Sequence, residues 1–167
     1  MKKFCKDESA RLSLKALGSE RKRAHHLLHE SHSDKVQRLV IALIKNSYIQ
    51  PHYHELDNQW ESFVVLSGSV KLITFTEDGV VLTSEDIEQG CIVEIEPMTI
   101  HTLVSNSDES LIYEIKEGPF VENYSKCNMN WAPKENSRYV DLFLRKLYLS
   151  EIGQSIGLTE FEKTINC

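Results

Sequence analysis

The chain has 167 residues, enough for one domain with a hydrophobic core and few for two. Hydrophobic residues make up 41% and charged residues 26%, as is typical of globular proteins. The formal net charge of −6 argues against a phosphate-backbone partner, so we expect no nucleic-acid ligand. Residues 39–44 form the longest apolar run, too short to cross a bilayer, and residues 1–20 lack a signal-peptide core. We therefore expect a cytoplasmic protein with free thiols and no membrane partner, and the four cysteines form no close pair that would suggest a zinc knuckle or a redox dithiol.

Three zones follow one another along the chain. Residues 1–36 are polar and rich in histidine, and we interpret them as an N-terminal arm. Residues 37–121 contain short runs rich in Val, Ile, Leu, Thr and Tyr, separated by turn residues, which is the pattern of an all-β domain. The predicted strands are 37–45, 48–51, 62–66, 69–76, 80–84, 91–95, 102–106 and 111–116. Their spacing, with no helical pattern between them, predicts a sandwich or barrel, and Asp78-Gly79 predicts a hairpin.

Residues 122–167 differ from the middle of the chain. They begin as an irregular polar segment and end as a helical tail. Apolar residues recur at helical spacing over residues 138–150, which predicts an amphipathic helix. Thr159 and Glu162 fit a capping box, so a second short helix is predicted to begin at Thr159.

A histidine–glutamate cluster carries the strongest chemical signal. His52 and His54 are two residues apart, so in a strand they project from one face. Two such imidazoles can place their nitrogens about 2.1 Å from one divalent ion. Glu61 stands at the start of the next strand and supplies an anionic oxygen, and His101 begins a later β-run that can complete the set in a barrel.

Each of these residues also has a simpler interpretation. A His-x-His pair is common on protein surfaces, Glu61 can be a solvated strand end, and His101 can be a hydrogen-bonded core residue. The ordered combination favours the metal site. Its members are His52-x-His54, Glu61, Gly68, Gly90, Pro97 and His101.

This combination resembles the two motifs of the cupin superfamily. The spacer before Glu61 is longer than usual, and Met98 stands where the Pro-x-Gly of the second motif has glycine. The resemblance implies a single-domain double-stranded β-helix, or jelly-roll barrel, over residues 37–121. It also implies that the segments on either side are an N-terminal arm and a C-terminal helical extension.

Further segments resemble the WbuC-type cupin metalloproteins over residues 19–136. They are Arg21-Lys22-Arg23-Ala24-His25, Tyr48-x-x-Pro51-His52, Trp60-Glu61-Ser62-Phe63, Glu114-x-Lys116-x-Gly118-Pro119-Phe120 and Trp131-Ala132-Pro133-x-Glu135. Such proteins are associated with bacterial O-antigen and other surface-polysaccharide gene clusters, and their reaction is unassigned. The resemblance therefore implies a fold and a metal site, and leaves the reaction open.

Two residues of the last predicted strand are catalytic candidates. Glu114 and Lys116 share a strand face, which either looks into the barrel beside the metal or is simply solvated. The matching family segment favours the first alternative. There, a lysine can bind an anionic group of the substrate and a glutamate can move a proton.

Three further residues are candidates for the pocket. Tyr48 and Gln50 are an even number of residues from His52, so in a strand they would project from the same face and line the pocket. Core packing is the alternative for Tyr48. Arg38 can bind a carboxylate or phosphate, with a surface ion pair as the alternative. His25 and His29 are four residues apart and would share a helical face; we interpret them as covering the barrel or a partner subunit.

Three imidazoles and one carboxylate suit one divalent ion of Fe, Mn, Zn, Ni or Cu, and the sequence does not select among them. On an octahedral ion these four ligands leave two positions for a small, carbohydrate-like ligand, whereas a tetrahedral zinc ion would be saturated and structural. The preferred hypothesis is a metal-dependent isomerase, epimerase or hydrolase acting on a sugar or nucleotide-sugar intermediate of surface polysaccharide. The alternatives are an Fe(II)-dependent oxygenase and a non-catalytic metal- or sugar-binding module. We also expect a homodimer, because cupins often pair through exposed sheet edges.

Overall fold

The computed structural model describes residues 1–121 and 126–158. Within these residues the elements are α1 (Lys6–Leu17), β1 (Arg23–Leu27), β2 (Val36–Ile44), β3 (His52–Tyr53), β4 (Glu61–Ser67), β5 (Ser69–Phe75), β6 (Val81–Glu88), β7 (Ile92–Ile95), β8 (Ile100–Ser105), β9 (Glu109–Glu117), β10 (Cys127–Asn128) and α2 (Val140–Tyr148). Two five-stranded antiparallel sheets have the orders β1-β2-β9-β4-β7 and β10-β3-β8-β5-β6. From β2 onwards the chain passes to the other sheet at nearly every connection, which is jelly-roll topology and confirms the predicted fold class.

The sheets and helices form four layers. On the outer face of the first sheet, α1 buries Leu12 and Ala16. On the outer face of the second sheet, α2 buries Phe143 and Leu147. A third apolar cluster lies between the sheets and includes Leu39, Ile41, Leu43, Phe63, Val65, Leu103 and Ile112. Because both faces of β2 are covered, its central residues are buried without alternation.

The N-terminal residues contribute a strand to the barrel. β1 pairs with the edge of β2 in the register Arg23↔Leu43 to Leu27↔Leu39, and so satisfies the backbone groups that β2 would otherwise leave unpaired. His25 lies in this strand and His29 follows it. The predicted helical face shared by these two histidines is therefore wrong.

Most other elements agree with the sequence. The helix predicted over residues 138–150 is confirmed by α2, and Gly79, at φ +83°, closes the predicted hairpin between β5 and β6. The strand predicted over residues 48–51 is wrong, because Pro51 lacks a ladder donor and the short strand β3 begins only at His52. The helix predicted from Thr159 lies outside the described residues. None of the described helices is long and apolar enough to cross a membrane.

Candidate metal centre

Strand pairing brings two of the four predicted ligands together. β3 and β8 are neighbours in the second sheet, and their register places His52 directly opposite His101. Paired residues project from the same face, and the two imidazole centroids lie 4.5 Å apart. His54 follows the end of β3, with its ring 5.3 Å from that of His52.

The fourth ligand comes from the opposite sheet. Glu61 is the first residue of β4, and its carboxylate reaches across the barrel to the imidazoles. The Nε2 atom of His54 lies 3.0 Å from one carboxylate oxygen, and Nε2 of His101 lies 3.0 Å from the other. One donor atom from each of the four buried residues falls within 4.8 Å of the others.

The orientation of the rings fits a metal ion. Nδ1 of His52 donates to the Gln50 carbonyl at 3.0 Å, and Nδ1 of His101 donates to the Thr99 carbonyl at 2.8 Å. A neutral ring held in this way carries its proton on Nδ1 and presents the lone pair of Nε2, which is the usual arrangement of metal-bound histidine. Adjacent ligands about 2.1 Å from an octahedral ion are separated by about 3.0 Å, the distance found between Glu61 and its two histidines. The four residues therefore fit a divalent ion.

The charge states of the cluster agree with this fit. Burial, followed by the nearby Lys126 ammonium, holds the pKa of His52 well below its usual range, so the ring is neutral at pH 7. Burial alone would raise the pKa of Glu61. The Lys116 ammonium and the two imidazoles outweigh burial, and the pKa of Glu61 lies well below its usual range. The site thus offers a carboxylate and a neutral imidazole, the forms that bind a metal.

Glu114 and Lys116 stand beside the ligands. The β4–β9 register pairs Glu61 with Lys116, and the Lys116 ammonium lies 3.1 Å from Glu61 Oε1 and 2.8 Å from Glu114 Oε1. Burial would lower the pKa of Lys116, but the two carboxylates outweigh it and raise this pKa. Lys116 is therefore a permanent cation between two acidic groups at neutral pH.

A cavity of about 530 Å³ opens onto this cluster. Its lining includes all four candidate ligands together with Glu114 and Lys116. An apolar floor is formed by Leu39, Ile41, Leu43, Ile49, Phe63, Leu103 and Ile112. The remaining wall is basic, with Arg23, His25, His29 and Lys126 among its residues. A small molecule that enters the cavity would meet the metal ligands, an apolar surface and a basic wall.

The three predicted pocket residues do not line this cavity. Tyr48 packs in the apolar cluster beneath α2 and donates to the Pro133 carbonyl at 2.8 Å. Gln50 donates to the carbonyl of Met129 at 2.9 Å. The strand parity that linked them to His52 fails because residues 48–51 are not a strand. Arg38 is exposed on β2, on the face away from the cavity.

Sequence reasoning missed several cavity residues. Lys126 carries no sequence signal, because it belongs to a polar stretch of the sequence and precedes a strand of only two residues. Arg23 lies in a segment that resembles the WbuC-type proteins, but its own sequence does not predict a strand. Its position at the cavity follows only from the pairing of β1 with β2.

Solved structures similar to the chain have low sequence identity. KdgF from Halomonas sp. is 13% identical with a TM-score of 0.48, over 60% of this chain and 82% of that chain. A sugar phosphate isomerase of the cupin superfamily from Silicibacter pomeroyi is 15% identical with a TM-score of 0.48, over 57% of this chain and 59% of that chain. The oxalate decarboxylase–formate complex from Lactobacillus farciminis is 17% identical with a TM-score of 0.47, over 58% of this chain but only 27% of that chain. The sheet order described above, and not these partial superpositions, establishes the fold.

Family membership comes from the N-terminal half of the chain. No curated protein matches the sequence significantly. One family model, described as "Domain of unknown function (DUF6016)", matches residues 4–87, which is half of the 167 residues. The matched range includes α1 and extends through nearly all of β6. The chain belongs to this family.

Proposed function

We propose that the chain is a cytoplasmic, WbuC-type metal enzyme that isomerises, epimerises or hydrolyses a sugar or nucleotide-sugar intermediate of bacterial surface polysaccharide. The observation that carries the proposal is the convergence of three imidazoles and one carboxylate at a cavity large enough for such a ligand. The family-like segments of the sequence support the substrate class.

The four converging residues would hold the ion. His52 and His101 come from paired strands, His54 from the adjoining bend and Glu61 from the opposite sheet, so both sheets fix the geometry. A divalent ion bound here would polarise a carbonyl of the ligand or lower the pKa of a bound water.

Lys116 and Glu114 would act on the ligand directly. Lys116 keeps its proton because two carboxylates stabilise it, so it can balance negative charge but cannot act as a base near pH 7. Glu114 is 6% exposed and forms an ion pair with that ammonium, so its carboxylate is placed to accept or return a proton of a bound sugar.

Turnover of candidate sugars tests the proposal. Protein loaded separately with Fe(II), Mn(II), Zn(II) or Ni(II) would be incubated with sugar phosphates and nucleotide sugars, and the products followed by NMR. We expect one metal form to convert one class of sugar, and Glu114→Gln to lower kcat by about 100-fold or more. The matched control Glu94→Gln, at an exposed position on β7, should leave kcat unchanged.

Two outcomes of the same experiment would contradict an isomerase, epimerase or hydrolase. Oxygen consumption that depends on both Fe(II) and substrate would indicate the oxygenase instead. Stoichiometric sugar binding without product in every metal form would indicate a binding module.

A homodimer is also part of the proposal. β6 and β7 are edge strands of the two sheets, and they carry the exposed side chains of Leu82 (51%) and Ile92 (70%). Exposed apolar side chains on edge strands support association of two copies. Light scattering of the purified protein should give twice the 19.2 kDa chain mass, and Ile92→Lys should reduce it to one chain mass.

A further inference from the structure

We propose that Lys126 forms an anion-binding subsite in the cavity, which holds a carboxylate or phosphate group of the ligand beside the metal centre. The inference deepens the proposed function, because it names a chemical group that the ligand must carry. The inference rests on the proposed function in one respect, namely that a ligand binds in this cavity.

Lys126 is a largely buried cation that faces the cavity. It lines the cavity just before β10, and among the residues that the structure describes none forms a hydrogen bond or ion pair with its ammonium. An ammonium group has three donors and is strongly hydrated in water. Removing it from water without a counter-ion is costly, so such a position usually binds one.

The neighbouring charges are already committed elsewhere. The guanidinium of Arg23 donates to the Tyr48 carbonyl and to Glu135, and Arg21 pairs with the same carboxylate at 2.9 Å. Glu135 therefore serves two arginines, and no carboxylate in the described part of the chain forms an ion pair with Lys126.

The acidic groups on the metal side are committed as well. Lys116 lies between Glu61 and Glu114 and pairs with both. Burial, followed by the positive charge of Arg23, lowers the pKa of Lys126 to about 8, and the negative charges of Glu135 and Glu61 do not offset this. The basic wall thus keeps an excess of positive charge that an anion can neutralise.

The subsite lies within reach of a ligand held at the metal. β10 pairs with β3, and Asn128 stands opposite His52. Lys126 precedes Asn128 by two residues, a displacement of roughly 7 Å along extended chain. One small molecule can therefore place oxygen atoms at the metal and an anionic group at Lys126.

A second unpartnered group in the cavity supports a polar ligand. His29 is 7% exposed, and its Nδ1 lies 3.0 Å from both the backbone nitrogen and the carbonyl oxygen of Arg38. Its Nε2 is buried and has no hydrogen-bond partner among the described residues. This nitrogen is available for a hydrogen bond with a polar group of the same ligand.

Anion binding to the full-length chain tests the subsite. Inorganic phosphate and acetate would each be titrated calorimetrically into protein that is metal-free and into protein loaded with Zn(II). We expect at least one of the two anions to bind in both states, and Lys126→Met to weaken that binding by about tenfold or more. Lys126→Arg keeps the charge and should bind within about threefold of the wild type. The preferred anion identifies the group as phosphate or carboxylate.

Matched variants separate this inference from the metal site. Lys15→Met removes the same charge from an exposed position on α1 and should leave anion binding unchanged. His101→Ala should lose zinc but keep the anion affinity of the metal-free wild type, so a failure of one proposal leaves the other standing. The subsite is overturned if neither anion binds at millimolar concentration, or if folded Lys126→Met binds as tightly as the wild type.

Discussion

Two lysines line the same cavity in opposite surroundings. Lys116 projects from β9 between the carboxylates of Glu61 and Glu114, and its pKa is raised because both hold its proton. Lys126 lies across the cavity at the edge of the second sheet, where burial and Arg23 lower its pKa to about 8.

The difference shows that a buried charge can serve two purposes. Lys116 is part of a network that compensates the acidic ligand of the metal centre, so its charge is balanced before any ligand enters the cavity. Lys126 has no such compensation among the described residues and is stabilised only when something else enters the cavity. The uncompensated charge of Lys126 therefore indicates where a ligand binds, and the compensated charge of Lys116 lies beside the metal centre.

Removing the paired lysine should have the largest effect. Lys116→Met leaves Glu61 (3% exposed) and Glu114 (6% exposed) without their cation. We expect the metal-free protein to lose about 3 kcal/mol in the free energy of unfolding, measured by urea denaturation at pH 7. Lys15→Met should change it by less than about 0.5 kcal/mol. Equal values for the two variants would mean that the Lys116 network does not stabilise the fold.

Removing the unpaired lysine should have the opposite sign. Lys126→Met eliminates an uncompensated cation, and we expect the free energy of unfolding to rise by about 2 kcal/mol at pH 7. The folded chain releases the Lys126 proton near pH 8 and the unfolded chain near pH 10.5. Between these values the unfolded wild type binds more protons, so its free energy of unfolding rises with pH and the advantage of the variant shrinks. A pH-independent difference between the two proteins would contradict the lowered pKa.

A change beside Lys126 should sharpen the contrast. Glu135→Gln removes the anion that pairs with Arg23, a side chain that is 6% exposed. We expect a loss of about 1–2 kcal/mol in the free energy of unfolding. The variant should also lower the pKa of Lys126 further, because the neighbouring positive charge is then unopposed. Glu20→Gln at an exposed position is the control, and a pKa of Lys126 unchanged in Glu135→Gln would show that the two groups do not interact.

The smallest effect is expected at the turn that leads to His101. Met98 has φ +62°, a conformation that glycine adopts without strain, and it stands where the resembling motif has glycine. Met98→Gly should raise the free energy of unfolding by about 1 kcal/mol. Asn46 has φ +64°, but asparagine tolerates this region, so Asn46→Gly should gain less. A larger gain for Asn46→Gly would contradict this explanation.

The metal side of the cavity was predictable and the ligand side was not. His52, Glu61 and His101 are recognisable from spacing because the barrel motif fixes which strands meet. Short β-rich runs between turn residues also indicate most central strands, and apolar residues at helical spacing indicate α2. β1 was missed because its sequence, Arg-Ala-His-His-Leu, has no strand pattern, and only pairing with β2 makes it extended.

Two other errors have the same origin in tertiary context. Strand parity predicts Tyr48 and Gln50 in the pocket, but residues 48–51 are not a strand, and both side chains donate to backbone carbonyls of the C-terminal segment. Lys126 has no sequence signal, because nothing local distinguishes a lysine on the surface from one that lines a cavity.

The metal content of the purified protein tests the central claim most directly. Elemental analysis after loading and gel filtration should give about one divalent ion per chain for the wild type, the stoichiometry expected of one four-ligand site. His52→Ala and His101→Ala should each carry less than about a tenth of that amount, whereas His26→Ala, on the other face of β1, should match the wild type. A wild type that holds no more metal than His52→Ala and His101→Ala would contradict the account.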